Sequence, residues 1–278
     1  MRILNPNHLP ESLVRAVTPQ DREIDFSRMS VTDLIGPPRI RILKLQNWHR
    51  MEERVEDRVW LMLGSAFHEL MDRLALQYNE EKIAIQIDEF TLVGVPDIYE
   101  EGILYDYKVT SLWSYIHGVK DDWVSQLQIY RWMLAPKVEI NKIRVIAILR
   151  DWIKSKSFEA DYPDMALKII DIPLWSTEKV EKYIKDRLQA HRDNLPCTEE
   201  ERWMSKTRYA VKVGENKKAA RVLDTREEAE AWASDKYVGK KKKAWTIEER
   251  PGEYSRCKLF CNVAAYCPDN IYREDSNV

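Results

Sequence analysis

Gly94-Val95-Pro96-Asp97-Ile98-Tyr99-Glu100-Glu101-Gly102-Ile103-Leu104-Tyr105-Asp106-Tyr107-Lys108 decides how this chain is read. Two runs of β-branched and aromatic residues flank Glu101-Gly102, a pair suited to a two-residue hairpin turn. That turn sets the register: Glu100 opposite Ile103, Tyr99 opposite Leu104, Ile98 opposite Tyr105, and therefore Asp97 opposite Asp106. Cross-strand partners hold their Cβ atoms about 4.5–5.5 Å apart, and two carboxylates so placed repel unless a cation lies between them. Side chains alternate along a strand, so Lys108 shares the face of Asp106 while Tyr107 points away. Two acids and an ammonium thus converge, which is the equipment for holding Mg²⁺ and activating water against a phosphodiester. Taken alone, the same residues also fit exposed strand-end acids with a surface lysine.

Outward from the hairpin, the periodicity alternates between helix and strand. Residues 55–78 repeat apolar positions at three- and four-residue steps and predict a helix that contains His68. Ile83, Ile85 and Ile87 alternate as a strand, 90–98 and 103–109 read as two more, and 143–149 as a fourth. Residues 123–134 and 177–194 predict helices. The first 50 residues, broken by Pro6, Pro10, Pro19 and Pro37-Pro38, predict a short helix or two in an irregular wrap. After Cys197, strands at 209–213, 219–223 and 244–249, with a helix capped by Asp224 or Thr225 and reaching Lys236, predict a small ββαβ insert. Its Lys240-Lys241-Lys242-Lys243 run reads as a solvated charge run or a phosphate contact. The expected class is α/β (α+β): a mixed central sheet flanked by helices. The expected segments are an arm at 1–54, a core at 55–200, the insert at 201–256 and a cysteine segment at 257–278.

With 278 residues, 44% of them hydrophobic, the chain has material for a real core. A net charge of -2 excludes coating nucleic acid by bulk charge, so any such contact needs a local patch. The opening residues carry no apolar stretch of signal length and no run approaches a membrane span, which gives the expectation of a cytosolic protein. Four cysteines, three crowded at Cys257, Cys261 and Cys267, favour metal or cluster ligation over disulfides.

Val95-Pro96-Asp97, nine residues before Asp106-Tyr107-Lys108, resembles the PD-(D/E)XK nuclease signature in its RecB-like form. Gly64-Ser65-Ala66-Phe67-His68 resembles the Gly-x-x-x-His helix that precedes the sheet in that superfamily. Gln126-Leu127-Gln128-Ile129-Tyr130 resembles the Gln-x-x-x-Tyr motif that follows it. The resemblance covers roughly residues 55–200 and implies a restriction-endonuclease-like core. It implies catalysis by Asp97, Asp106 and Lys108, and Mg²⁺ or Mn²⁺ held by His68, Asp97, Asp106 and the backbone carbonyl of Tyr107. Gln126 and Tyr130 would then contact the substrate.

Cys197, Cys257, Cys261 and Cys267 resemble the four-cysteine set of AddB-type and stand-alone phage-encoded RecB-like nucleases, which implies a structural [4Fe-4S] cluster. Here all four follow the core and the close pair is separated by three residues, whereas the family usually places one cysteine before the core. Zn²⁺ satisfies the same thiolates and stays open as the alternative. The implied function is a DNA nuclease acting on single strands or ends, in phage, recombination or repair processes. No phosphate-binding Gly-x-x-x-x-Gly-Lys-Ser/Thr loop occurs, so any motor would be a separate helicase or recombination partner. The alternative is a non-cleaving DNA-binding or assembly subunit that keeps the fold. Against it stand converging acids that repel DNA. A zinc-stabilised adaptor acting through residues 205–256 is the third reading.

Overall fold

The computed structural model describes residues 1–19, 23–73, 82–237 and 244–273. The chain divides into two compact units, Met1–Pro196 and Cys197–Val278. Strands of the first unit are β1 (Arg2–Leu4), β2 (Arg28–Ser30), β3 (Glu52–Arg54), β4 (Ile83–Ile87), β5 (Phe90–Gly94), β6 (Ile98–Glu100), β7 (Ile103–Thr110), β8 (Lys142–Leu149) and β9 (Leu167–Ile172). Its helices are α1 (Glu11–Val17), α2 (Val31–Ile35), α3 (Pro38–Asn47), α4 (Val59–Arg73), α5 (Leu112–Ile116), α6 (Asp121–Leu134) and α7 (Thr177–Arg192). The architecture is mixed α/β, as the periodicity predicts.

The principal sheet runs β6-β7-β8-β9, with β7 and β8 parallel and both outer pairs antiparallel. One face of it is apolar because alternate residues of β7 and β8 point to the same side. Leu104, Ile143, Val145, Ala147 and Leu149 are buried there, beneath Leu127, Tyr130 and Met133 of α6. Asp106 lies in that same buried row, next to Val145 in the parallel register.

Helix α6 is fastened from behind by fully buried Gln128. Its Nε2 donates to Pro173 O at 2.8 Å and its Oε1 accepts from Trp175 N at 3.1 Å. Each end of this amide has a partner, so burial costs little. On α7, Arg187 donates to Leu34 O at 3.0 Å. His191 Nε2, 3.1 Å from the same carbonyl, must carry its proton there. Together they satisfy carbonyls at the end of α2 that the helix itself leaves open.

The structure corrects several sequence expectations. The strand expected across 90–98 is two: β5 joins β2 and β4, β6 joins β7, and Pro96 followed by a bend at Asp97 separates them. Proline supplies no ladder donor, so the chain changes sheet there. Residues 1–54 are no irregular wrap, since β2 pairs in parallel with β5 and α3 starts on the Pro37-Pro38 pair, with Pro38 at its first turn, where a missing N–H costs nothing. The helix expected from 55 opens with a 3₁₀ turn at Val55–Arg58 before α4, and its expected end at 74–78 lies outside the described residues.

In the second unit, β10 (Arg208–Val213), β11 (Arg221–Leu223), α8 (Arg226–Tyr237) and β12 (Trp245–Arg250) form an antiparallel sheet ordered β11-β10-β12. Ala229 and Ala233 of α8 pack on Val211 and Val213, with Trp232, Trp245 and Ile247 around them. Thr225 caps α8: its hydroxyl accepts from Glu228 N at 3.1 Å while Glu228 Oε2 accepts from Thr225 N at 3.3 Å. Residues 197–200, expected in the core, fall in this unit. The Lys240–Lys243 run lies outside the described residues.

Candidate functional site

The hairpin turn is built as its register requires: Glu101 and Gly102 both have positive φ, 48° and 79°. These are the backbone angles of a two-residue turn whose twist suits the flanking strands. Pairing then follows as Glu100 with Ile103, Tyr99 with Leu104 and Ile98 with Tyr105. At Asp97 the ladder stops, which corrects the expected Asp97–Asp106 backbone pair. The chain bends away after Pro96, and Asp97 instead turns its carboxylate inward so that Oδ2 accepts Tyr107 N–H at 2.7 Å. The Asp97 charge still raises the pKa of Asp106.

Asp106 is the most deeply buried acid of the set, only 1% exposed. Burial pushes it up to about 6, with the Lys108 ammonium pulling in the opposite direction. Lys108 Nζ donates to Asp106 Oδ1 at 3.0 Å and to Gln126 Oε1 at 3.0 Å. It also lies 2.7 Å from Asp106 Oδ2, but off the line of a hydrogen bond, so this buried oxygen has no directed donor. A buried carboxylate needs a cation beside it, and the Lys108 ammonium supplies one. Gln126 in turn donates from Nε2 to Tyr130 OH at 3.1 Å, one helical turn along α6. Burial raises the Tyr130 phenol to about 12, so it stays protonated.

His68 arrives from the other face. Phe67 meets Tyr107 edge to face at 5.4 Å, which seats α4 against β7, and His68 Nδ1 then lies 3.3 Å from Asp97 Oδ1. Its hydrogen bond to Asp97 holds its pKa above the usual imidazole range. The structure therefore brings together His68, Asp97, Asp106, Lys108, Gln126 and Tyr130. Tyr107, whose carbonyl the family resemblance adds, sits in the β7 ladder opposite Ile146.

One residue escaped the sequence reading. A Cβ on Gly94 would lie 2.9 Å from Met133 Sδ and 3.0 Å from Tyr130 Cε1, so glycine lets α6 close on the end of β5 without displacing either side chain. The signal was available in its position, two residues before Pro96 at a strand end.

The donor set suits a hard divalent ion, since it offers two carboxylates and an imidazole. As arranged, protein groups stand in that place: the Lys108 ammonium against Asp106, and the His68 imidazole against Asp97. Among the described residues no group of three or more His, Cys, Asp or Glu side chains is set to hold a metal ion as it stands.

The cysteines form a separate cluster within the second unit. Residues 203–205 run beside 253–255, joined by an antiparallel bridge between Met204 and Tyr254 and by Ser205 N to Glu253 O at 3.0 Å. Arg256 continues the seam, donating to Glu201 O at 3.0 Å and lying over Trp203. This brings Cys197 toward Cys257, within a π-helical turn at Arg256–Phe260, Cys261, just after it, and Cys267, just after a 3₁₀ turn at Ala264–Tyr266. Burial pushes the Cys197 thiol up to about 11, with Glu201 and the other three sulfurs adding to the effect. Burial raises Cys257 and Cys261 as well, and both also sense Cys267. All four are free thiols.

No protein-family model matches the chain, and no curated protein matches it. Among solved structures it is similar to SSO0001, at 17% identity over 69% of this chain and 88% of that one, with a TM-score of 0.41. It is also similar to a phage-related exonuclease from Haemophilus somnus 129PT, at 17% identity over 49% of this chain and 70% of that one, with a TM-score of 0.32. Likeness at this level does not extend to function. Among the described residues no helix is long and apolar enough to cross a membrane.

Proposed function

We propose that this protein is a metal-dependent DNA nuclease of the PD-(D/E)XK kind, hydrolysing phosphodiester bonds at the cluster of Asp97, Asp106 and Lys108. The observation that supports the reading is the convergence of buried Asp106, its Lys108 partner, Asp97 and His68 beside one hairpin. A purely structural ion pair has no need of a second carboxylate whose charge raises the pKa of the first. Asp97, Asp106 and His68, with the Tyr107 carbonyl, would hold Mg²⁺ or Mn²⁺. When bound, such an ion lowers the pKa of a coordinated water and offsets charge on the phosphate.

The chain's own groups do the positioning. Lys108, fixed by both Asp106 and Gln126, presents a localised positive charge where negative charge develops on the phosphate. Gln126 is itself fixed by Tyr130, whose protonated phenol remains a donor toward a phosphate oxygen. The Asp97 bond to Tyr107 N–H keeps that carboxylate turned toward Asp106 rather than toward solvent.

In the second unit, the four cysteines would hold a [4Fe-4S] cluster, with Zn²⁺ as the alternative. Burial disfavours the thiolates of Cys197, Cys257 and Cys261, and a bound metal would neutralise them. The fit is that of a structural centre, since it ties Cys197 to loops some 60 residues later.

The test is to incubate purified protein with linear, circular and single-stranded DNA and Mg²⁺ or Mn²⁺, beside Lys108→Ala. The expected result is cleavage that needs the metal and falls in the variant by roughly 10²–10³-fold. A wild type that cuts nothing, and binds DNA no differently from Lys108→Ala, would establish the non-cleaving subunit instead.

A further inference from the structure

At the C-terminal end of β7 and β8 the surface changes character. Helix α4 carries Trp60 there, 60% exposed, with the Arg150 guanidinium stacked 4.1 Å from its ring. Arg150 immediately follows β8, and its amide donates to Thr110 O at 2.9 Å, so the stack is tied to the strand that carries Lys108 two residues earlier. Helix α5 follows β7 directly. Asp151 fixes it by accepting Leu112 N–H at 2.6 Å, and it displays Trp113, 68% exposed.

The loop joining β8 to β9 leaves from the same end. It is closed on itself: Trp152 Nε1 donates to Pro163 O at 2.8 Å, and Ile153 N donates to Tyr162 OH at 2.6 Å. From this braced loop Phe158 projects 93% exposed, with Lys154 and Lys156 exposed just before it. A phenylalanine this exposed gains no burial from folding, and a loop held by its own hydrogen bonds presents its ring to solvent.

From this arrangement we infer that Trp60 with Arg150, Trp113 and Phe158 form a stacking platform for the unpaired bases of a single nucleic-acid strand, leading that strand to the β7 carboxylates. The inference rests on the nuclease reading and names how its substrate is held. Each ring offers a π-face, and cations sit on or beside two of them, which is the combination that grips bases while tracking phosphates. Continuity supports the same occupant. Thr110 is about 13 Å along β7 from Asp106 at roughly 3.3 Å per residue. Trp60 and His68 lie about 12 Å apart along α4 at 1.5 Å per residue. A protein partner would be served by the apolar rings but would give the arginine stack and the lysines no role.

The experiment measures binding in EDTA, without cleavage, by fluorescence anisotropy on a 20-nucleotide dT strand, the matching rU strand and a strand of abasic sites. Wild type is expected to bind the base-bearing strands at least tenfold more tightly than the abasic one. Trp113→Ala and Phe158→Ala should each lose roughly tenfold on base-bearing strands and almost nothing on abasic ones. Phe158→Leu keeps apolar bulk without a π-face, so it should lose affinity as Phe158→Ala does. These positions are exposed, so unchanged thermal melting is expected for all three.

Equal binding of abasic and base-bearing strands, or a Phe158→Leu protein that binds like wild type, overturns the platform even when the enzyme cleaves DNA normally. Failure of wild type to bind any strand overturns it too, and leaves the patch to a protein partner. Base-dependent binding that the alanine variants lose, in a protein that cuts nothing with Mg²⁺ or Mn²⁺, supports the platform and overturns the nuclease reading alone.

Discussion

The carboxylate cluster of β6 and β7 and the cysteine cluster of the second unit are opposite solutions to assembling a polar site. The first is written into one hairpin of a rigid sheet, and its charges are already balanced by Lys108 and His68. The second gathers partly exposed thiols from two stretches 60 residues apart, beside short turns, with Arg202 and Arg256 as the nearby positive charges on Cys257. The carboxylate site therefore depends on its sheet for its shape. The cysteine site depends on whatever the sulfurs hold.

The sharpest way to break that comparison is Cys257→Ser. A structural metal centre contributes on the order of 10 kcal/mol to the fold that surrounds it. Losing one ligand should leave the second unit open to limited proteolysis while Met1–Pro196 resists, and iron or zinc should vanish from elemental analysis of the purified protein. If metal content and protease pattern stay unchanged, the cysteines are ordinary buried thiols and the contrast disappears.

The converse variant, Asp106→Asn, keeps the shape of the buried side chain but removes its charge. Cleavage should fall by roughly 10²–10³-fold, or about 3–4 kcal/mol in the barrier, with DNA affinity within a few-fold of wild type. Single-turnover rates at saturating protein separate the two effects. A matching loss of affinity would make Asp106 a binding residue instead.

These sites were unequally legible in the sequence. The hairpin could be read because Glu101-Gly102 fixes the register locally, and strand alternation then puts Asp106 and Lys108 on one face without any knowledge of the rest. The same logic overran at Asp97: continuing the ladder by one pair ignores Pro96, whose missing donor lets the chain leave for β5's sheet. Strand β9 went unread because alternate residues of this edge strand are exposed, including Leu167 and Ile169, and its pattern depends on β8. The fastenings of Gln128, Arg187 and His191 have partners 45 to 157 residues away, and no local spacing announces them.

His191 offers a smaller test, confined to the first unit. It is 2% exposed, its Nδ1 has no partner, and burial lowers its pKa from 6.5 to about 4. The unfolded chain therefore binds a proton between those values that the folded chain refuses, so stability rises with pH across this window. The contribution is whole above about 6.5 and is lost as pH falls toward 4, up to roughly 3 kcal/mol. Urea midpoints from pH 7 to 4.5 should drop for wild type and drop less for His191→Gln. Parallel curves for the two proteins would assign the acid sensitivity elsewhere.

The smallest expected effect probes whether the carboxylate site is shaped by its turn. Glu101 holds φ at 48°, a conformation that glycine and asparagine adopt readily and other residues adopt at a cost near 1 kcal/mol. Glu101→Asn should therefore stabilise the first unit by up to about 1 kcal/mol, read as a rise in the urea midpoint at constant slope. It leaves Asp97, Asp106 and Lys108 untouched, so cleavage per folded molecule should not change. A stabilised protein with lower activity would mean that strain at Glu101 sets the separation of the two carboxylates. The turn would then belong to the site's machinery rather than to its scaffold.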